Sequence, residues 1–323
     1  MNDRGHCVTA GDVRAAAVRI AHDVRRTPVL ASSALSEAAN RPAALKCESM
    51  QRTGSFKIRG ASNAVRLLDD ATAARGVVTH SSGNHALALA TAAAARGIPA
   101  HVVMPLNASP MKRAAVEAAG AAVHACGNTA SERAAACDEI ARRTGAFVVP
   151  PYDHPWTIAG QGTVGLEIAE QLPDAGTIVV PVGGGGLIGG IAVALRDARP
   201  GMRIVGAEPE LAGDAAESFR SGRISPQHPP VSIADGLRAP LGELTFPLLR
   251  DLVDDVVTVT EDQIVAAMRF AFEEMRLVIE PSAAVGIAAL LADRCGGDRT
   301  RPAAVVLCGG NVDLASLPWL ARG

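Results

Sequence analysis

The chain of 323 residues has few aromatic side chains and almost no net charge. Phe, Trp and Tyr together make up 3% of the residues, so Ala, Val, Leu and Ile must form the core. The formal charge is only −2, and no cluster of basic residues is interleaved with aromatics. These absences argue against a nucleic-acid partner and against attraction to an anionic membrane surface.

Several other common sequence signals are also missing. No two of the six cysteines form a C-x-x-C pair, which argues against a zinc or thioredoxin-like site. The first residues lack the apolar stretch of a signal peptide, and no apolar run reaches membrane-spanning length. We therefore expect a cytoplasmic protein with free thiols and no membrane segment.

Apolar runs of strand length alternate with helix-like segments over most of the chain. VVTH (77–80) opens one such series, and TIVVPV (177–182) opens a second that ends at AAVVLC (303–308). This alternation is typical of parallel sheets whose crossover helices cover both faces. The sequence predicts an α/β fold of two doubly wound parallel-sheet domains: a large domain from 1–75 and 154–323, and a small domain from 76–153.

Four consecutive glycines, Gly183, Gly184, Gly185 and Gly186, join an apolar strand to a helix in VPVGGGGLIGG (180–190). Glycines let the backbone turn tightly and direct successive N–H groups to one point, and the helix that follows adds its positive end. The pattern predicts a phosphate-binding turn, although it matches neither the Walker loop nor G-x-G-x-x-G. The alternative is a tight turn that binds nothing.

A second loop follows another short strand, in HSSGNHALAL (80–89). Ser81, Ser82, Gly83 and Asn84 can direct side-chain oxygens and backbone N–H groups at an anion such as a carboxylate. The alternative is an ordinary helix N-cap, for which Ser and Asn are favoured residues.

A single lysine, Lys57, stands at the start of a mostly apolar helix in GSFKIRG (54–60). Such a lysine can extend its ammonium group to solvent, or it can be a nucleophile. Together with a phosphate turn and a carboxylate-binding loop, an aldehyde-reactive lysine indicates one cofactor, pyridoxal phosphate.

Eight motifs from residue 54 to residue 313 occur in the order found in the serine/threonine dehydratase and serine racemase family. The chain thus resembles the fold type II pyridoxal-phosphate enzymes, to which the tryptophan synthase β subunit also belongs. The motifs are GSFKIRGA, SSGNH, IAGQGT, VGGGGLIGG, IADG, VTEDQI, IEPSAA and CGGNVD.

The resemblance implies a role for each matching residue. Lys57 carries the cofactor and takes the Cα proton of the substrate, and in racemases of this family the serine at the position of Ser82 is the second base. The expected cofactor-binding residues are Phe56, Lys57, Asn84, Gly183, Gly184, Gly185, Gly186, Gly236 and Cys308. The expected substrate-binding residues are Ser81, Ser82, Gly83, Asn84 and His85.

Cys308 departs from the family pattern, which often has serine beside the pyridine nitrogen. A neutral thiol donates a weaker hydrogen bond than a hydroxyl, and neither group can protonate the ring as a carboxylate partner would. The change therefore weakens a contact without altering the class of reaction. The alternative is that Cys308 is merely a small buried residue at a strand end.

The resemblance also implies a metal site in GAEPELAGD (206–214). Glu208, the carbonyl of Ala212 and Asp214 would supply oxygen ligands, which suit Mg²⁺, Ca²⁺ or Mn²⁺. An ordinary acidic loop after a strand is the alternative.

The implied function is a dehydratase that converts L-serine or L-threonine to a 2-oxo acid and ammonia by α,β-elimination. Serine racemase and threo-3-hydroxyaspartate dehydratase are alternatives with the same fold, and in the latter Arg133 or Arg238, near Tyr152, would pair with a second carboxylate. A non-catalytic phosphate-binding protein is a more distant alternative. The expected partner is a small hydroxy amino acid, and the resemblance suggests a homodimer.

Overall fold

The computed structural model describes residues 5–81, 83–226 and 231–320, and its strands fall into two sheets. Of the ten strands in the described ranges, eight lie at apolar runs after residue 76 and two lie within the first 50 residues. The strands are β1 (Val29–Ala31), β2 (Ala43–Lys46), β3 (Val77–His80), β4 (Ala100–Pro105), β5 (Ala122–Cys126), β6 (Phe147–Val148), β7 (Thr177–Pro181), β8 (Arg203–Pro209), β9 (Asp255–Val259) and β10 (Ala303–Val306).

Helices connect most of these strands and begin at clear local signals. For example, Thr129 and Thr260 each form a capping box at the start of a helix. The helices are α1 (Ala10–Arg19), α2 (Ser33–Ala38), α3 (Lys57–Leu67), α4 (Asp70–Ala74), α5 (Asn84–Arg96), α6 (Pro110–Ala118), α7 (Ala130–Thr144), α8 (Pro155–Gln171), α9 (Gly186–Ala198), α10 (Asp214–Ser221), α11 (Thr245–Leu252), α12 (Glu261–Met275) and α13 (Pro281–Leu291).

The strand order confirms the predicted α/β class. The larger sheet has the order β1-β2-β10-β7-β8-β9, and the smaller sheet has the order β5-β4-β3-β6. Neighbouring strands are parallel except for β1 and β2, which pair antiparallel with Val29 opposite Lys46. The sequence pattern missed this pair because β1 is a three-residue strand at the sheet edge, where an antiparallel partner is readily accommodated. The strands of the smaller sheet all fall within 76–153, but the division into domains stays a prediction.

Glycines allow three helices to pack at very short range. A Cβ at Gly190 of α9 would lie 2.4 Å from the carbonyl oxygen of Ile158 in α8, and a Cβ at Gly160 would lie 2.6 Å from the carbonyl oxygen of Arg59 in α3. Real side chains never approach backbone atoms so closely. The IAGQGT and LIGG segments therefore hold α3, α8 and α9 together.

A buried cluster of charged residues fixes α3 against α8. The Arg59 guanidinium donates to both carboxylate oxygens of Glu48 at 2.8 Å and to Glu167 at 2.7 Å, and Lys46 Nζ donates to Glu167 at 2.5 Å. Arg59, Glu48 and Lys46 are fully buried, so each charge depends on its partners. This cluster anchors the first turn of α3, which carries Lys57.

Among the helices of the described ranges, none is both long and apolar enough to span a bilayer.

Candidate active site

The predicted site residues follow strands at the carboxyl edges of the two sheets. In the larger sheet β10 and β7 are neighbours although they are far apart in the chain, so the order of connections reverses between them. Ligands of open parallel sheets bind at such a reversal. Cys308 follows β10 and the glycines follow β7, while Ser81 and Asn84 follow β3 of the smaller sheet.

Lys57 is the first residue of α3, and its amine points into the protein. The Nζ atom donates to the carbonyl oxygen of Pro151 at 2.8 Å. Burial lowers the pKa of Lys57 to about 8, although the nearby Glu280 carboxylate opposes this shift. The positive end of the α3 dipole also disfavours the ammonium form. A large fraction of this amine is therefore neutral and nucleophilic near pH 8.

The glycine turn lies beside the same segment that accepts the hydrogen bond of Lys57. Tyr152 directly follows Pro151, and its ring occupies the space where a Cβ at Gly184 would be, at 2.4 Å. A Cβ at Gly186 would lie 3.1 Å from the Cα of Tyr152. Residues 151 and 152 thus connect the lysine to the turn.

The turn has the geometry that favours an anion. Gly185 has a φ of +83°, a left-handed conformation that a side chain would strain, and α9 begins at the next residue. The first N–H groups of a helix lack intrahelical acceptors and point outward along the axis. On the far side, Thr245 Oγ1 donates to the carbonyl oxygen of Gly184 at 2.7 Å and holds the turn in place.

Gly236 lies next to the glycine turn. A Cβ at Gly183 would lie 3.2 Å from the carbonyl oxygen of Gly236. The N–H of Gly236 donates to Ser282 Oγ at 3.1 Å, which ties this loop to the first turn of α13.

Asn84 lies at the start of α5, in contact with a carboxylate and a second amide. Its Nδ2 is 2.9 Å from both carboxylate oxygens of Glu280, and its Oδ1 accepts from Nδ2 of Asn311 at 2.8 Å. Asn311 also donates to the carbonyl oxygen of Thr53, at the turn that precedes Lys57. A cavity of about 230 Å³ opens beside Asn84 and Asn311.

Cys308 and Phe56 flank the lysine. The Cys308 side chain is buried, and burial raises the pKa of its thiol, so the group is neutral. Its Sγ lies 4.0 Å from Oε1 of Glu280, and its carbonyl oxygen accepts from the N–H of Phe56 at 3.1 Å. Lys57 Nζ lies 5.1 Å from the centre of the Phe56 ring.

The structure describes only part of the predicted substrate loop. Ser81 Oγ accepts from the N–H of Gly83 at 3.3 Å, whereas Ser82, the predicted second base, lies outside the described residues. The His85 side chain is buried with Nε2 3.0 Å from the carbonyl oxygen of Val149, and burial lowers its pKa to about 3. The imidazole is therefore neutral and cannot attract the carboxylate of a substrate by charge. Only the backbone N–H of His85 can contribute to binding an anion.

Two of the three predicted metal ligands are buried side by side. Glu208 ends β8 and accepts from the N–H groups of Ala215 and Ala216, while Asp214 accepts from the N–H of Leu241 at 3.0 Å. Burial and the Asp214 charge raise the pKa of Glu208 to about 8. No group of three or more His, Cys, Asp or Glu side chains suited to a metal occurs among the described residues. The metal site stays a prediction.

The two arginines proposed for a second carboxylate have different surroundings. Arg238 donates to the carbonyl oxygen of Ser232. Arg133 donates to the carbonyl oxygen of Asn128 and is near the end of β3, because its charge adds to burial in lowering the pKa of His80.

Glu280, Asn311 and Thr245 contact this site, yet the sequence interpretation assigned them no role. Glu280 and Asn311 belong to the quoted motifs IEPSAA and CGGNVD, which were the available signal. Thr245 follows a long loop and belongs to no motif.

Comparison with known proteins agrees with this geometry. Residues 20–309 match the family model described as pyridoxal-phosphate dependent enzyme. The chain is 44% identical to serine racemase of Rattus norvegicus, covering 98% of this chain and 97% of the relative. It is 42% identical to beta-hydroxyaspartate dehydratase of Paracoccus denitrificans, with 96% and 98% covered.

A solved structure shows the same architecture. The structure of maize serine racemase superposes with a TM-score of 0.94 at 43% identity, covering 97% of this chain and 96% of that chain. The chain belongs to the serine/threonine dehydratase and serine racemase family of fold type II pyridoxal-phosphate enzymes.

Proposed function

We propose that this enzyme acts on serine and related hydroxy amino acids and that α,β-elimination to a 2-oxo acid and ammonia is its main reaction. The observation that carries the proposal is the Lys57 amine, which donates to the carbonyl oxygen of Pro151 directly beside Tyr152, the residue that packs on the glycine turn. The rival idea of a non-catalytic phosphate-binding protein leaves this lysine without a purpose.

The residues fit pyridoxal phosphate. The N-terminus of α9 and the Gly183–Gly186 turn would hold its phosphate, Lys57 would hold its aldehyde carbon, and Asn84 and Cys308 would contact its ring. Ser55 Oγ, just before Lys57, is fully buried with no hydrogen-bond partner in the described part of the chain, as expected at an incomplete site. When bound, this cofactor supplies an electron sink that acidifies the Cα–H bond of an amino acid.

Lys57 would then move the proton. Its pKa of about 8 lies close to the operating pH, which allows it to accept a proton and to return it. Ser81, Gly83 and the first N–H groups of α5 would orient the substrate carboxylate. Lys57 would return the proton taken from Cα to the Cβ hydroxyl, which would leave as water. Hydrolysis of the released enamine would then give the 2-oxo acid and ammonia.

Racemisation of serine is the second candidate, and the names of the relatives favour it. It needs a second acid–base group on the opposite face of Cα, for which Ser82 is the proposed residue. A third candidate substrate is threo-3-hydroxyaspartate, favoured by the position of Arg133 near the end of β3 and by the dehydratase relative.

Product analysis on L-serine, D-serine, L-threonine and threo-3-hydroxyaspartate separates these candidates. We expect 2-oxo acid and ammonia from L-serine, and no turnover by Lys57→Ala, which should keep its fold. Ser82→Ala should abolish any racemisation while leaving elimination of L-serine. Arg133→Ala should selectively impair hydroxyaspartate. Substantial 2-oxo acid formation by Lys57→Ala would contradict the proposal.

We further propose that the enzyme is a cytoplasmic homodimer with a large domain (1–75 and 154–323) and a small domain (76–153), and that Glu208, Ala212 and Asp214 bind a divalent cation. Two adjacent buried carboxylates repel each other, and a cation between them would relieve this repulsion.

A further inference from the structure

Glu280 is a buried carboxylate close to Lys57. Its side chain lies at the start of α13 and is 5% exposed. No Lys, Arg or His forms an ion pair with it among the described residues. Burying a carboxylate without such a partner lowers the stability of the folded protein. Its position near Lys57 therefore indicates a functional role.

The backbone near Glu280 leaves room for its carboxylate. Its N–H donates to the carbonyl oxygen of Gly309, and a Cβ at Gly309 would lie 2.4 Å from its Oε1, so only glycine leaves room for the carboxylate. Four charged or titratable groups interact electrostatically with Glu280. They are Lys57 from α3, Lys112 from α6, Asp235 beside Gly236, and the Cys308 thiol after β10. Burial raises the pKa of Glu280 to about 7, against the opposing effect of its Asn84 hydrogen bond.

The carboxylate determines how the Asn84 amide is oriented. Because Glu280 accepts, the amide nitrogen must face it, and Asn84 Oδ1 must face the donor Asn311. Both oxygens of one carboxylate lie in the same direction from Nδ2, so a single hydrogen serves both of them. The second hydrogen of Nδ2 is left for another acceptor.

We propose that Glu280 is a positioning residue that fixes the Asn84 amide with its second N–H toward the phenolic oxygen of pyridoxal phosphate and thereby sets how strongly the bound cofactor holds its proton. This inference rests on the proposed cofactor site. In this arrangement the carboxylate and the phenolic oxygen share one amide nitrogen, and the N–H donated to the phenolic oxygen stabilises its deprotonated form.

The experiment is a pH titration of the visible absorbance of holoenzyme, compared between wild type, Glu280→Gln and Glu280→Asp. Glutamine keeps the shape but removes the charge and no longer dictates the amide orientation of Asn84. We expect its titration midpoint to rise by about one pH unit, a tenfold change in the protonation constant, because the N–H that stabilises the deprotonated phenolic oxygen is no longer held in place. Glu280→Asp keeps the charge, but its shorter side chain moves the carboxylate away from Asn84. We expect the titration midpoint of this variant to shift in the same direction.

Two further variants test whether the effect passes through Asn84. Asp235→Asn removes a more exposed carboxylate near the same site and should shift the midpoint much less. In Asn84→Ala, the added Glu280→Gln change should have little further effect, because the shared contact is already lost.

The outcomes separate this inference from the proposed function. A wild-type protein with no visible chromophore would overturn the cofactor site itself. A chromophore whose midpoint is the same in wild type and Glu280→Gln, whatever the change in melting temperature, would overturn only the role of Glu280. A wild-type midpoint in Glu280→Asp would show that charge alone matters and would also overturn the positioning role.

Discussion

At the scale of single residues, the environment of Lys57 decides what its amine can do. The same side chain on a surface helix would be an ammonium group at any physiological pH. Here the Pro151 carbonyl holds it inside the protein, and burial lowers its pKa to about 8. The Glu280 carboxylate limits the shift, so the amine can still accept a proton during turnover.

This pKa predicts how fast the cofactor-free protein takes up pyridoxal phosphate at different pH values. Attack on the aldehyde requires the neutral amine, whose fraction rises about tenfold per pH unit below the pKa and levels off above it. We expect the rate of appearance of visible absorbance to rise up to about pH 8 and then to flatten. A rate that keeps rising to pH 10 would indicate an ordinary, solvated lysine.

The same shift has a consequence for folding. The unfolded chain binds a proton at Lys57 up to the ordinary pKa of 10.5, whereas the folded protein releases it at about 8. Between these values the unfolded state binds more protons, so this residue makes the folded protein more stable as the pH rises through that window.

At the scale of elements, the glycine turn is held from both sides. The Tyr152 ring covers Gly184 on one side, and on the other the Thr245 hydroxyl, at the start of α11, donates to the carbonyl oxygen of Gly184. Asp153 in turn accepts from the first N–H groups of α11, so the loop after β6 and this helix are coupled. The N–H groups of the turn are therefore fixed before any anion arrives, which lowers the entropy cost of binding.

This packing predicts the effect of Gly184→Ala. The added methyl group would lie 2.4 Å from the Tyr152 ring and must displace it or the turn. We expect the dissociation constant for pyridoxal phosphate to rise at least tenfold, as measured by absorbance titration of the cofactor-free protein, because such overpacking costs about 1–3 kcal/mol.

Gly201→Ala is the matched control, since nothing lies within 4 Å of the added Cβ. Its affinity for the cofactor should equal that of wild type. If Gly184→Ala also bound pyridoxal phosphate with wild-type affinity, the glycine turn would have to be free to adjust.

At the scale of the whole molecule, parts of the chain that are distant in sequence meet around the site. Lys112 of α6, beside the smaller sheet, pairs with Asp235 at 2.5 Å, next to Gly236 on the side of the larger sheet. Glu208, Asp214 and Leu241 likewise join β8, α10 and the segment before α11, which supports the glycine turn. A cation at Glu208 and Asp214 would therefore stabilise the large sheet and the turn together.

We predict that removal of this cation lowers the melting temperature. A ligand present at about 100 times its dissociation constant stabilises a protein by about 2.7 kcal/mol, which corresponds to a loss of several degrees. EDTA should cause this loss in wild type and Mg²⁺ should reverse it. Glu208→Gln should respond to neither, whereas Glu210→Gln, an exposed neighbour, should behave as wild type. An unchanged wild-type melting curve would count against the metal site.

Much of the fold could be predicted because its signals are local. Apolar runs, glycines and capping residues marked most strands and helices after residue 77, since each depends on neighbours in the chain. The antiparallel pair of β1 and β2 could not be predicted in this way, because three residues carry too little pattern. The motifs that carry the family resemblance likewise identified Lys57 and the glycine turn as candidates.

The sequence by itself determined the class of fold, the family and the candidate groups of the site: an amine, a glycine turn and a serine-containing loop. Only the tertiary structure decided that the His85 ring is buried and neutral, that Tyr152 and Thr245 hold the turn, and that Glu280 faces Asn84. The physical reason is that pKa values and hydrogen-bond orientation depend on burial and on neighbours that are close in space but far apart along the chain.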